Sequence, residues 1–188
     1  MRIQQPLFLP LAAALMLALA SCASTGQTGM LAADAPRALP ASGPVSVTWN
    51  DPETFTEFRQ TSNRWAASEG DWLNDLAQHM RKRAQKELAP GERLELTIVD
   101  IKRAGQYEPW VRPDMQHVRI VRDMYPPRMT VAFRLQDATG AVVDEGERKL
   151  SDPAFLLNAS PINVTDPLRY EKRMVDAWLR RELDTAAR

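Results

Sequence analysis

Basic and aromatic residues are interleaved in the middle of the chain, between Lys102 and Arg134. This segment holds seven basic and three acidic residues, although the whole chain has 24 of each kind. Guanidinium groups hold phosphate and carboxylate oxygens by charge-assisted hydrogen bonds, and binding surfaces are enriched in arginine and aromatic residues. One interpretation of the segment is therefore a binding site for an anionic ligand. The candidate binding residues are Arg112, Arg119, Arg122, Arg128, Tyr107, Trp110 and Tyr125.

A structural role for the same segment is also compatible with the sequence. Trp110 and Tyr125 can anchor a loop or join the core, and the arginines can form salt bridges with the three acidic residues Glu108, Asp114 and Asp123. The sequence leaves the two interpretations open.

An enzyme is the second functional hypothesis, and it uses the acidic residues of the loop Glu108–Asp123 together with His117. A carboxylate next to a histidine can position a general base or bind a cation. A solvated loop is the alternative. The other histidine, His79, follows Asp75 by four residues on a predicted helix, where we expect an ordinary surface side chain.

Sequence motifs for other chemistries are missing. The chain has no Gly-x-Ser-x-Gly motif and no glycine-rich phosphate loop, and one Cys and two His leave little for a metal centre. We assign no catalytic residue, no metal ligand and no cofactor. The formal net charge of zero disfavours a nucleic-acid-binding protein, which usually carries a basic excess.

The N-terminus has the features of an export signal. Arg2 precedes an apolar run from Leu7 to Ala20, which is shorter than the roughly 20 residues of a membrane-spanning helix. Leu19-Ala20-Ser21-Cys22 resembles the bacterial lipobox, so we predict a signal peptide over residues 1–21 and lipidation of Cys22. The predicted protein is anchored in a membrane by its lipid. Ala23, rather than Asp, follows the cysteine and favours the outer membrane, with the protein facing the periplasm.

Residues 22–44 are rich in small residues, glycine and proline, and lack a periodic apolar pattern. This composition predicts a flexible tether. In the envelope, the partner of the domain that follows would be an anionic ligand or another protein.

Residues 45–188 are predicted to form one α+β domain. Alternating apolar residues predict strands over 45–49, 94–101, 129–135 and 141–150, with a further short strand possible over 118–122. Helical spacing predicts one helix that starts at Ser68 and another that starts at Asp166. We expect a mostly antiparallel sheet with the two amphipathic helices packed on one face.

Several stretches resemble a proteobacterial domain-of-unknown-function family, number 3016. They include the opening Val45–Trp49, the run Val118–Met129, Leu150-Ser151-Asp152 and the closing Tyr170-Glu171-Lys172 with Trp178. The resemblance covers about residues 45–185. It implies an exported protein, but no activity and no site residues.

Overall fold

The computed structural model describes residues 29–157 and 165–186. The predicted signal peptide, Cys22 and the start of the predicted tether lie outside the described residues. Among the helices that are described, none is long and apolar enough to cross a membrane.

A four-stranded sheet forms the centre of the described domain. Its strands are β1 (Val45–Trp49), β2 (Arg93–Lys102), β3 (Arg128–Gln136) and β4 (Val142–Ser151), and they lie side by side in this order. β1 runs parallel to β2, whereas the β2–β3 and β3–β4 pairs are antiparallel. A helical crossover separates β1 from β2, as a parallel pair requires, and a short turn joins β3 to β4.

Two long helices cover one face of this sheet. They are α3 (Trp72–Glu87) and α4 (Arg169–Ala186), and two short helices, α1 (Thr56–Arg59) and α2 (Arg64–Ser68), precede them. The buried apolar residues of α3, and those of α4 from Met174 onwards, form one core with the alternate buried residues of β1, β2 and β3. For example, Phe133 of β3 packs edge-on against Trp178 of α4. The predicted α+β class is confirmed.

Two predicted elements differ from those observed. Ser68 was expected to cap the long helix, but it is the last residue of α2, and α3 begins at Trp72. Gly70 separates the two helices with a φ of 74°, a conformation that a helix does not contain. The possible strand over 118–122 is reduced to one isolated bridge between Ile120 and Gln106.

Residues 37–39, which belong to the predicted tether, lie along β1. Ala38 forms an antiparallel bridge with Thr48 of β1. Leu39 donates its N–H to the carbonyl of Val47 and is only 7% exposed. An isolated apolar residue such as Leu39 gives no periodic signal, so composition alone could not reveal this contact.

The connection between β2 and β3, residues 103–127, folds back on itself at the end of β2. Gln106 and Ile120 exchange two backbone hydrogen bonds, and Gly105 donates its N–H to the carbonyl of Tyr125. Gly105 has a φ of 81°, and a Cβ there would lie 2.7 Å from the carbonyl oxygen of Ile120. The glycine therefore allows the close approach that brings residues 117–121 over the end of β2.

Candidate anion-binding site

Glu57 on α1 is fully buried at the end of β2. Asp100 of β2 sets the position of this helix. The backbone N–H of Thr56 donates to Oδ1 of Asp100 and the Thr56 hydroxyl donates to Oδ2, both at 2.6 Å. A β-bulge between Ile98 and Asp100 shifts the register there, so that Asp100 can reach the start of α1.

Three cations surround the Glu57 carboxylate. Lys102 and Arg103 come from the end of β2 and the first residue beyond it, and Arg119 comes from the returning part of the β2–β3 connection. The Arg103 guanidinium donates to Oε1 from Nε and Nη2, Lys102 Nζ donates to Oε2, and Arg119 Nη2 donates to Oε1. Burial alone would raise the pKa of Glu57, but attraction by Arg119, Arg103 and Lys102 outweighs it and lowers the pKa to about 2. The carboxylate is therefore ionised at neutral pH.

The cations outnumber the carboxylate that they surround. Lys102 Nζ donates to three acceptors, on Glu57, Gly105 and Gln106, which uses all three N–H bonds of an ammonium group. Burial lowers the pKa of Lys102 and of Arg103, because it penalises their charged forms. An arginine nevertheless stays protonated in proteins. Three positive charges thus share one ionised Glu57.

A cavity of about 360 Å³ opens beside this cluster, and we call it the arginine pocket. Two of the three cations, Arg103 and Arg119, form part of its lining. Each guanidinium group lies over an aromatic ring. The Cζ atom of Arg119 is 4.6 Å from the ring centroid of Tyr107, and that of Arg103 is 4.2 Å from the ring centroid of Trp72. The residues that line the arginine pocket are Trp65, Ala66, Glu69, Arg103, Ala104, Tyr107, His117, Arg119 and Pro167.

Some guanidinium donors of Arg103 and Arg119 have no acceptor among the described residues. Among the described residues, Arg103 uses Nε and Nη2 for hydrogen bonds and Arg119 uses Nη1 and Nη2. This leaves Nη1 of Arg103 and Nε of Arg119 without an acceptor in the part of the chain that the structure describes, and neither atom is fully enclosed. Both donors are therefore accessible to a ligand or to water.

A second carboxylate, Glu171 of α4, is buried next to the arginine pocket. Its Oε1 accepts the N–H of Ala104 at 2.6 Å, whereas its Oε2 has no hydrogen-bond partner in the described part of the chain. Burial raises the pKa of Glu171, and this effect exceeds the opposing influence of the Ala104 N–H and of Arg103 and Arg119. Glu171 thus compensates the positive cluster less well than Glu57 does.

The structure separates the predicted binding residues. Arg119 and Tyr107 line the arginine pocket. Arg122 and Tyr125 instead bind Glu108, a buried carboxylate of the same connection, at 2.9 and 3.1 Å. The hydrogen bond with Glu108 raises the pKa of Arg122. The pKa of Tyr125 is also raised, mainly by burial and secondly by its hydrogen bond with Glu108.

The remaining candidate residues lie on the surface. Trp110 is 71% exposed, Arg112 pairs with its neighbour Asp114 at 3.1 Å, and Arg128 is exposed at the start of β3. Arg122 and Tyr125 therefore make the contacts that the structural interpretation expects, whereas Arg119 and Tyr107 line a cavity and stay candidates for ligand binding.

The residues of the enzyme hypothesis do not converge. Glu108 binds Arg122 and Tyr125, His117 lines the arginine pocket, and Asp123 caps the adjacent Met124 N–H on the surface. The carboxylate partner of His79 is Asp176 of α4 rather than Asp75 of its own helix. Nε2 of His79 lies 2.7 Å from Oδ1 of Asp176, and this contact links α3 to α4. No group of three or more His, Cys, Asp or Glu side chains suited to a metal ion occurs in the part of the chain that the structure describes.

Sequence reasoning missed several residues of this site, above all Glu57, Glu171 and Trp65. Glu57 lies in a segment without apolar periodicity, and Glu171 begins a run of charged residues, which is typical of a solvated helix face. One signal was available for Glu171. It follows Leu168 by three residues and precedes Val175 by four, so helical spacing places it beside the apolar stripe of α4.

Comparison with known proteins gave one match. A family model described as "Protein of unknown function (DUF3016)" matches residues 43–181. No curated protein and no solved structure matches the chain.

Proposed function

Because the chain belongs to the DUF3016 family, which is described only as a protein of unknown function, we propose a function from the site itself. The protein is an exported, lipid-anchored binding protein of the cell envelope. It is not an enzyme, and the arginine pocket holds an anionic ligand. The membrane is its first partner, through the lipid on Cys22, and the protein faces the periplasm from the outer membrane.

The observation that carries the binding function is the uncompensated charge beside an open cavity. Three buried or nearly buried cations share the ionised carboxylate of Glu57, and two of them, Arg103 and Arg119, line the arginine pocket. Buried charges are costly unless they are paired. An anion that enters the arginine pocket would compensate this excess and occupy the accessible donors on both guanidinium groups.

The binding function is tested by ligand-induced stabilisation of the full-length protein, purified from membranes in detergent. A ligand that binds only the folded state raises its stability in proportion to occupancy. Melting is measured in sulfate, phosphate, acetate and succinate at constant ionic strength, for wild type, His117→Ala and Arg112→Ala. His117 lines the arginine pocket, whereas Arg112 forms an exposed pair with Asp114. We expect at least one anion to stabilise wild type and Arg112→Ala more than His117→Ala. Equal responses of all three proteins, or none, contradict an anion site here.

The anchor is tested separately by cell fractionation. Cys22 is the only cysteine of the chain, so Cys22→Ala removes the only thiol that a lipid can modify. We expect Cys22→Ala to leave the membrane fraction and Ser24→Ala, a neighbouring control, to stay there. Membrane recovery of both variants in equal amounts contradicts the lipid anchor.

A further inference from the structure

We propose that the anion bound in the arginine pocket is a phosphate monoester that carries a small hydroxyl-bearing group, such as a sugar. This inference rests on the proposed binding function and names the chemical class of its ligand.

The donors approach the cavity from separate parts of the fold. Arg103 follows β2, while Arg119 and His117 belong to the returning part of the β2–β3 connection. A carboxylate places two oxygens in one plane and is satisfied by a single guanidinium fork. A phosphate monoester has three terminal oxygens in a tetrahedral arrangement, so it can accept from two guanidinium groups and an imidazole at once.

The charge of the cluster also favours phosphate. Three cations meet one fully ionised carboxylate, Glu57, and burial raises the pKa of the second carboxylate, Glu171. A phosphate monoester carries between one and a half and two negative charges at about pH 7. It therefore neutralises an excess that a single carboxylate would neutralise only in part.

The walls of the arginine pocket indicate what the phosphate is attached to. The cavity, at about 360 Å³, falls within the range of small-molecule sites and has room beyond a bare phosphate. Trp65, which is 66% exposed, and Tyr107 offer aromatic surface on which a sugar ring can pack. Glu69 also lines the cavity. Its carboxylate disfavours a second anionic group but accepts hydrogen bonds from hydroxyl groups.

The test measures binding of glucose 1-phosphate, glucuronate, glucose and inorganic phosphate to the full-length protein in detergent, by isothermal titration calorimetry. Glucuronate is the control for a carboxylate on a sugar of similar size. We expect the dissociation constant of glucose 1-phosphate to be at least about tenfold lower than that of glucuronate, because glucose 1-phosphate accepts additional charge-assisted hydrogen bonds. We also expect no binding of glucose.

Variants assign the parts of the ligand to parts of the arginine pocket. Trp65→Ala should weaken glucose 1-phosphate severalfold and leave inorganic phosphate unchanged, since the exposed indole contacts only the sugar. His117→Ala should weaken both, and Arg112→Ala neither. His117, Trp65 and Arg112 are all exposed, so none of these variants depends on changing the buried cluster.

The source of the phosphate is distinguished by micelles that contain phosphatidic acid, whose headgroup is a phosphate monoester. Competition of these micelles with glucose 1-phosphate assigns the site to a lipid headgroup, and lack of competition assigns it to a soluble phosphate ester. Both results retain the phosphate monoester, but competition overturns the attached hydroxyl-bearing group, which phosphatidic acid lacks. Glucuronate binding as tightly as glucose 1-phosphate overturns the phosphate assignment but leaves an anion-binding protein. Absence of binding by every anion overturns the proposed function as well.

Discussion

Glu57 and Arg103 are 46 residues apart in the chain and are joined by three hydrogen bonds. The backbone N–H of Arg103 donates to Oε2 at 3.0 Å, and its guanidinium donates twice to Oε1 at 3.3 and 3.2 Å. The same carboxylate binds Lys102 and Arg119, so one side chain of α1 holds together the end of β2 and the β2–β3 connection.

Replacing Glu57 by Gln should therefore destabilise the protein by about 3–5 kcal/mol, because it leaves buried cations uncompensated. The matched control is Glu53→Gln. Glu53 forms an exposed pair with Arg64, so its replacement should change stability by less than about 0.5 kcal/mol. Urea unfolding of both variants measures the difference. Equal losses for the two variants would show that the buried cluster does not stabilise the fold.

The low pKa of Glu57 predicts a loss of stability in acid. Its pKa is about 2 in the folded protein against 4.5 for the ordinary group, so the unfolded chain binds a proton more readily than the folded chain. Such a group stabilises the folded state above pH 4.5, and its contribution, about 3 kcal/mol, disappears as the pH falls towards 2.

The measurement is the free energy of unfolding between pH 7 and pH 2 for wild type and Glu57→Gln. The difference between the two proteins should be largest above pH 4.5 and should shrink as the pH falls below it. A difference that stays constant over this range would mean that the pKa of Glu57 is not lowered in the folded protein.

The sheet and its long helices could be predicted because their signals are local. Leu94, Leu96 and Ile98 alternate within a few residues, and the structure buries all three on one side of β2. The tight turn between β3 and β4 is likewise encoded by adjacent residues, Asp137 to Gly140. Local periodicity reports which side of an element is buried, and that is sufficient for the architecture.

The arginine pocket could be predicted only in part, because its residues come from distant parts of the chain. The charge excess of residues 102–134 drew attention to the segment that contains Arg119 and Tyr107, and both residues line the cavity. The sequence could not show that Arg122 faces Glu108 instead, since this depends on how the connection folds back. Nor could it show that Glu57, 62 residues before Arg119, supplies the central carboxylate.

Glu171 should have the opposite pH dependence to Glu57. Burial raises the pKa of Glu171, so the folded chain binds its proton more readily than the unfolded chain does. Its favourable contribution is present below its unfolded pKa and is lost as the pH rises through the raised folded value. The loss amounts to about 1.4 kcal/mol for each unit by which the pKa is raised.

We therefore expect Glu171→Gln to be more stable than wild type at pH 8 and to lose this advantage at pH 4. The amide cannot ionise, but it retains an oxygen that accepts the Ala104 N–H. Glu145→Gln, at an exposed position of β4, is the control and should show no such trend. Thermal melts at the two pH values provide the comparison. A Glu171→Gln variant that is less stable than wild type at pH 8 would show that the neighbouring N–H and arginines outweigh the effect of burial on the Glu171 carboxylate.

Leu39 tests whether the segment before β1 belongs to the folded domain. Its side chain is 7% exposed and packs in the main core, and its N–H bonds the carbonyl of Val47. Leu39→Ala should lower the free energy of unfolding by about 2 kcal/mol or more, because it removes a leucine side chain that is buried in the core. Leu157→Ala removes the same atoms from a side chain that is 88% exposed and should cost less than about 0.5 kcal/mol. Urea unfolding of the two variants decides between a docked segment and a tether. Equal, small effects would support a tether up to residue 44, whereas a loss specific to Leu39 would place the start of the fold before β1.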